Sequence, residues 1–153
     1  MKTLPFFPQE RAESCVPACL RMVLARYDIE RSEDEIYFCC QTDLDGTLPT
    51  AAALCAQSLG IGASALRLPS LEALQEQMAI PDAVPIVFVN LAPLLGLNVI
   101  HAVIIEAIDT AARNVSVLDP AYPPAGRREW MLDLFEVGWR LARYQTILIM
   151  PES

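Results

Sequence analysis

The sequence predicts an α+β fold in which N-terminal helices pack on a C-terminal antiparallel β-sheet. Three observations carry that expectation. Apolar residues recur at helical spacing through the first half. The second half is made of short β-rich apolar runs separated by turn residues. The two patterns are segregated rather than alternating, which disfavours a parallel βαβ arrangement.

The elements follow in order. ESCVPACLRMVLARYD carries apolar residues at 15, 18, 19, 22 and 23, a helical stripe. Pro17 falls in its first turn, where a missing N–H costs little. Ser32, followed by Glu35, reads as a capping box opening a helix over 33–40. Asp45-Gly46-Thr47 is a turn, and a third helix over 47–59 ends at Gly60. Ser70 caps a fourth over 71–79, stopped before Pro81. Residues 61–68 read as a short edge strand; 84–90, 100–108, 114–118 and 144–150 read as further strands. A helix over about 130–139 precedes the last strand, with Trp130, Phe135 and Trp139 packing onto the sheet. The apolar run 84–105 is long enough to cross a bilayer. Pro85, Asn90, Pro93, Gly96, Asn98 and His101 interrupt it, so it reads as two buried strands joined by a loop.

The 153 residues suit a single domain, 1–153, with one core. A 54% hydrophobic and 20% charged composition belongs to a chain that folds. The net charge of −8 argues against nucleic-acid binding and against docking on anionic membranes, and favours a cationic peptide as partner. MKTLPFFPQERAES lacks the apolar stretch of a signal peptide. The five cysteines, Cys15, Cys19, Cys39, Cys40 and Cys55, are odd in number and irregularly spaced. That predicts no disulfide framework and a reducing, cytoplasmic location.

Cys15 is the candidate nucleophile. It stands at the predicted start of the first helix, where unpaired N–H groups and about half a positive charge favour a thiolate. Cysteines so placed can fall from a pKa of ~8.5 to ~3.5–7.5, especially beside a histidine. The same amides could stabilise an oxyanion. Cys19, Cys39, Cys40 and Cys55 lie inside predicted helices and read as small buried hydrophobes. No cofactor or metal is expected: there is one histidine and no CxxC pair. Asp43 and Asp45 read as a solvated turn without a spaced cation-ligand set.

His101, the only histidine, opens a predicted hairpin formed by 100–108 and 114–119. A turn centred near 110 to 111 places His101 opposite residues 119 to 121, with Asp119 at the edge of that window. Opposed side chains have Cβ atoms ~4.5–5.5 Å apart. Asp119 could then accept a hydrogen bond from one ring nitrogen and leave the other for a nucleophile. Asp119-Pro120 also reads as a loop start. Asp109 and Asn114 are rival orienters that the turn carries to the hairpin's far end.

Gln9-Glu10-Arg11-Ala12-Glu13-Ser14-Cys15, continuing as VPACLRMVL, resembles the nucleophile motif of the double-glycine leader peptidases. These are papain-like cysteine peptidase domains that process bacteriocin precursors, often fused to ABC exporters. HAVIIEAID and VSVLDPAYP resemble the family's His and Asp blocks in order and spacing, and GRREWMLDLFEVGW resembles the C-terminal segment of stand-alone relatives. The likeness runs from about Gln9 to Ile149. It implies that Cys15 is the nucleophile, His101 the general base and then acid, and Asp119 its orienter. It further implies that Gln9 donates its side-chain amide to the oxyanion hole, beside the Cys15 N–H. Ser14 and Val16 depart from the Asp and Gly of exporter-linked members, with the Val16 side chain expected to narrow the approach. That bears on the double-glycine preference more than on the chemistry. The 153 residues contain no transmembrane or nucleotide-binding region, so the likeness is to free-standing relatives with a separate exporter or biosynthetic partner. The expected function is cysteine-dependent hydrolysis of a peptide or related amide bond. A leader-binding module without cleavage and an acyltransferase using the same residues are the alternatives.

Overall fold

The computed structural model describes residues 3–124 and 126–151. The helices are α1 (Cys15–Arg26), α2 (Glu33–Cys39), α3 (Pro49–Ser58), α4 (Leu71–Met78), α5 (Ala92–Leu95) and α6 (Leu132–Leu141). The strands are β1 (Gly62–Arg67), β2 (Val84–Asn90), β3 (Ile100–Asp109), β4 (Asn114–Leu118), β5 (Arg127–Met131) and β6 (Gln145–Met150). The strands form one antiparallel sheet in the order β1-β6-β2-β3-β4-β5. This is the expected α+β fold.

Helices cover both faces of the sheet. On one face α1, α2 and α3 bury Leu20, Ile36 and Ala56 against Ile86, Phe88, Ile104 and Ile147. On the other, Phe135 and Trp139 of α6 and Leu74 of α4 pack on Val87, Val89, Val103 and Val117. Alternate residues of β2 therefore face opposite cores, which is why its sequence is an unbroken apolar run. The apolar stretch 84–105 is β2, α5 and the start of β3. No helix among the described residues is long and apolar enough to cross a membrane.

Local signals match the structure closely at the caps. Ser32 and Glu35 form the reciprocal capping box of α2. The Ser70 hydroxyl accepts the Ala73 N–H at the start of α4. Two elements lie outside what the sequence predicts. α5 is a single turn closed by Gly96 in the left-handed region, φ +73°. β5 opens with Arg127, Arg128 and Glu129, charges typical of an exposed edge strand rather than of a buried one. Trp130 pairs with Val115 in β5, so the following helix begins at Leu132.

The cysteine reading needs correction. Cys39, exposed at the end of α2, is bonded to Cys55 of α3. Their Cα atoms are 5.5 Å apart, inside the range a disulfide requires. Adjacent Cys39 and Cys40 point opposite ways: Cys40 is buried and its thiol is pushed up to about 12 by burial. Irregular spacing could not reveal the pairing, because it arises from how α2 and α3 pack. Closing a loop of 16 residues is worth ~3 kcal/mol. Cys39→Ser is therefore expected to lower the urea unfolding free energy by about that amount.

Candidate active site

The loop before α1 sets the position of Cys15. Ser14 is the N-cap, but its side chain makes no capping bond to the helix. Its hydroxyl instead accepts the Arg11 N–H and faces the Arg11 carbonyl, both at 3.0 Å. The first N–H groups of α1 have no partner within the helix and stand beside the half-buried Cys15 thiol. Val16 is 2% exposed and packs in the core. Its side chain does not narrow the approach to Cys15, which corrects the expectation from sequence.

α2 braces this loop. Both Glu33 carboxylate oxygens accept the Glu10 N–H, at 3.0 and 3.2 Å, and the Ser14 hydroxyl lies within hydrogen-bonding reach. Glu33 is 1% exposed. Burial pushes its carboxyl up, against the pull of those two donors. The Tyr37 hydroxyl donates to Glu13 at 2.8 Å, and Arg11 lies over the Tyr37 ring while pairing with Asp34. Glu33→Gln sets an amide hydrogen or a single carbonyl where two acceptors stood. We expect it to cost ~1–3 kcal/mol in stability and to slow alkylation of Cys15 at unchanged pH.

His101 opens β3, opposite Val89 of β2. Its Nε2 lies 2.7 Å from Asp119 Oδ1, and the Cys15 side chain lies within hydrogen-bonding reach of the ring. With Nε2 engaged, Nδ1 is the nitrogen left for Cys15. The hairpin arithmetic is close but not complete. β3 carries a bulge between Ile105 and Ala107, after which Ile104 pairs with Leu118. That register sets His101 level with residue 121, and Asp119 reaches it diagonally, two residues off. The rivals Asp109 and Asn114 pair with each other at the far end of the hairpin.

The charge states follow from this geometry. Burial alone would lower the His101 pKa; the hydrogen bonds to Asp119 and Cys15 outweigh it and raise it to about 9. Burial would raise Asp119, and the bonds from His101 and the Ala121 N–H, with the Arg128 charge, overcome this and hold its carboxyl below the usual range. Asp119 is also fixed through its backbone, its N–H donating to the Gly126 carbonyl at 2.6 Å. Gly126 has φ +75°, and a Cβ there would sit 2.2 Å from the Phe6 ring, so only glycine closes this loop unstrained.

Gln9 stands beside the same loop, its N–H donating to the Pro120 carbonyl at 2.9 Å. Its side-chain Nε2 donates to the Arg11 and Ala12 carbonyls, at 2.9 and 3.2 Å. Oε1 is buried without a partner among the described residues. Turning the amide over would set Oε1 against two carbonyls, so this orientation is the favourable one. Cys15, His101 and Asp119 are thus brought together, and Gln9 lies alongside with its amide engaged in its own loop. Sequence reasoning missed Glu33, Gly126, Tyr122 and Arg128. The first doubles as an ordinary first-turn acid, and no local pattern marks the other three.

No group of three or more potential metal ligands occurs among the described residues. Asp43 and Asp45 form a surface turn in which Asp43 accepts the Asp45 N–H.

Comparison with solved structures gives the same fold at low identity. A double-glycine motif protease from an AMS/PCAT transporter, solved with its leader peptide, is 20% identical with a TM-score of 0.70, covering 98% of this chain and 93% of that one. The peptidase domain of ComA from Streptococcus, a bifunctional ABC transporter of a quorum-sensing pathway, is 17% identical with a TM-score of 0.77, covering 98% and 100%. A C39-like peptidase from Bacillus anthracis is 15% identical with a TM-score of 0.78, covering 99% and 96%. No curated protein matches in sequence. The sequence pattern of the peptidase C39 family matches residues 3–150. The chain belongs to the peptidase C39 family and is a cysteine peptidase-like hydrolase.

Proposed function

We propose that the chain cleaves a peptide bond through Cys15, His101 and Asp119, acting as one domain on a peptide or precursor protein. The observation that carries this reading is the buried His101–Asp119 contact, whose free ring nitrogen is turned to a thiol at a helix N-terminus. The Cys15 sulfur attacks the scissile carbonyl carbon, and the C=O pair moves onto oxygen. The α1 N–H groups take the oxyanion. Gln9 joins them by releasing the longer of its two loop bonds, that to Ala12. The tetrahedral carbon collapses, the C–N bond breaks, and His101 gives its proton to the leaving amine. His101 then takes a proton from water, which attacks the thioester and frees Cys15.

A groove of about 510 Å³ opens at Tyr122 and Arg128, the residues that flank Asp119, and is lined further by Leu94, Leu95, Met131 and Leu134. It offers the peptide a mixed surface, apolar from Leu94, Leu95, Met131 and Leu134 and charged from Arg127, Arg128 and Glu129. The leader peptide bound to the AMS/PCAT relative supports a peptide as substrate. With Val16 turned into the core, the residue after the nucleophile sets no barrier to a double-glycine substrate. The reading is tested by offering the purified chain peptides that end a leader in Gly-Gly and matched peptides that do not, with products identified by mass. Cleavage after one defined residue, lost in Cys15→Ala, supports it. Intact peptides throughout, or cleavage retained in that variant, overturn it.

The pH profile is a second expected outcome. His101 must carry a proton to serve as acid, and its pKa is near 9. The activity is expected to hold through neutral pH and fall as the pH rises through about 9. An alkaline limb near the ordinary histidine value would contradict the raised pKa.

The cytoplasmic location is a proposal resting on the three free thiols, which a reducing compartment preserves. The Cys39–Cys55 bond pulls the other way. Differential thiol labelling in intact cells decides: five labelled cysteines support the cytoplasm, and three support an oxidising compartment.

A further inference from the structure

Asp119 has two oxygens, and only one is accounted for by the triad. Oδ1 accepts from His101 Nε2 at 2.7 Å and from the Ala121 N–H at 2.9 Å. Among the described residues Oδ2 has one partner, Arg128 Nη1 at 3.3 Å. The Asp119 side chain is 3% exposed, so water does not substitute for that partner.

Arg128 is itself held. Its guanidinium lies 4.1 Å from the centre of the Tyr122 ring. Tyr122 belongs to the turn that Asp119 begins, its N–H donating to the Asp119 carbonyl at 3.1 Å, while its own carbonyl accepts the Gly126 N–H at 2.7 Å. The ring that carries the cation is thus anchored to the backbone of the residue the cation serves. Arg128 comes from β5, where it pairs with Val117, two residues before Asp119. Neighbouring Arg127 is committed to Glu106 and does not replace it.

We propose that Arg128, stacked on Tyr122, is a positioning residue that fixes the plane of the Asp119 carboxylate, so that one oxygen stays in line with His101 Nε2. A carboxylate turns easily about its last torsion. With Oδ2 pinned, Oδ1 stays under the imidazole, Nε2 keeps its proton, and Nδ1 stays toward Cys15. A planar guanidinium can stack on the ring and bond the oxygen in one geometry, whereas a lysine ammonium can do the second but not the first. The proposal rests on the catalytic reading of the dyad but concerns only how the dyad is held.

The test uses the fact that the chain has one histidine. Protein labelled with 15N-histidine gives a single imidazole, whose two nitrogens report tautomer and hydrogen bonding. Among the described residues, the charged or titratable groups that act on Asp119 are His101, Arg128 and Cys19, and Cys15 acts on His101. At pH 7 the wild type is expected to show a protonated, strongly deshielded Nε2. In Arg128→Met that proton should move upfield or broaden through exchange between ring states. Alkylation of Cys15 by iodoacetamide should slow roughly tenfold, the worth of one hydrogen bond to a charged group. Arg128→Lys should fall between, and Tyr122→Ala should shift the same signal in the same direction. If Arg128→Met does not fold, the last two variants carry the same reading. Ring signals in folded variants that coincide with wild type overturn the proposal, whatever the melting temperature does. If Cys15 is not the nucleophile, it shows no preferential alkylation in wild type, while the imidazole signals still report the clamp.

Discussion

Replacing Cys15 by alanine is expected to reduce peptide cleavage to background, a loss of roughly 10⁴-fold or more, with the protein folded and its melting temperature near wild type. The side chain is only half-buried, and its neighbours at the head of α1 are held by the loop and α2 rather than by the thiol. His101→Ala should match it closely. The two residues act as one unit, so the double variant should be little worse than either single one. Progress curves with a cleaved peptide check both. Independent, multiplying losses would show that the thiol and the imidazole do not share a step.

Asp119→Asn is the second large effect, expected at roughly 10²- to 10⁴-fold in kcat. The amide is nearly the same shape, so the fold should survive. The chemistry changes in two ways. If the amide nitrogen takes the Oδ1 position, it faces both His101 Nε2 and the Ala121 N–H, donor to donor in the second case. If the carbonyl stays there, the amide nitrogen faces the Arg128 guanidinium, again donor to donor. The negative charge that stabilises the imidazolium is lost in both. The His101 pKa, raised to about 9 in the wild type, should therefore fall. The sign is fixed: removing an anion beside a histidine disfavours its charged form. The alkaline limb of activity should move down with it. A variant that keeps the wild-type limb would assign the raised pKa to Cys15 alone.

Much of this site is legible in the sequence, and the reason is local. Cys15 at a helix start follows from the apolar stripe that begins there and from Pro17 in the first turn. His101 and Asp119 follow from one hairpin, whose turn fixes the pairing to within two residues. The bulge at Glu106 shifts the register by one, bringing residue 121 rather than 122 level with His101, and bulges leave no reliable mark in a single sequence. Gln9 was reached through family likeness alone; its amide bonds to Arg11 and Ala12 depend on a loop shape that no periodicity encodes.

What the sequence did not reveal comes from contacts between distant segments. Cys39 and Cys55 meet because α2 lies against α3. Glu33 grips Glu10 across 23 positions. Arg128 reaches Asp119 from an edge strand whose charged residues read as surface. In each case the residue type has an ordinary explanation where it stands, and only the tertiary partner changes its meaning.

The central claim is that His101 activates Cys15 and no other thiol. Buried Cys19 and Cys40 are held protonated by their surroundings, Cys19 with its thiol toward the Ala102 carbonyl. The direct measurement is a brief treatment with iodoacetamide at neutral pH, mapped by mass spectrometry in wild type and in His101→Ala. The account predicts modification at Cys15 ahead of Cys19 and Cys40, and its suppression when His101 is removed. Equal labelling of the three free cysteines, or Cys15 labelling that is unchanged without His101, would contradict it.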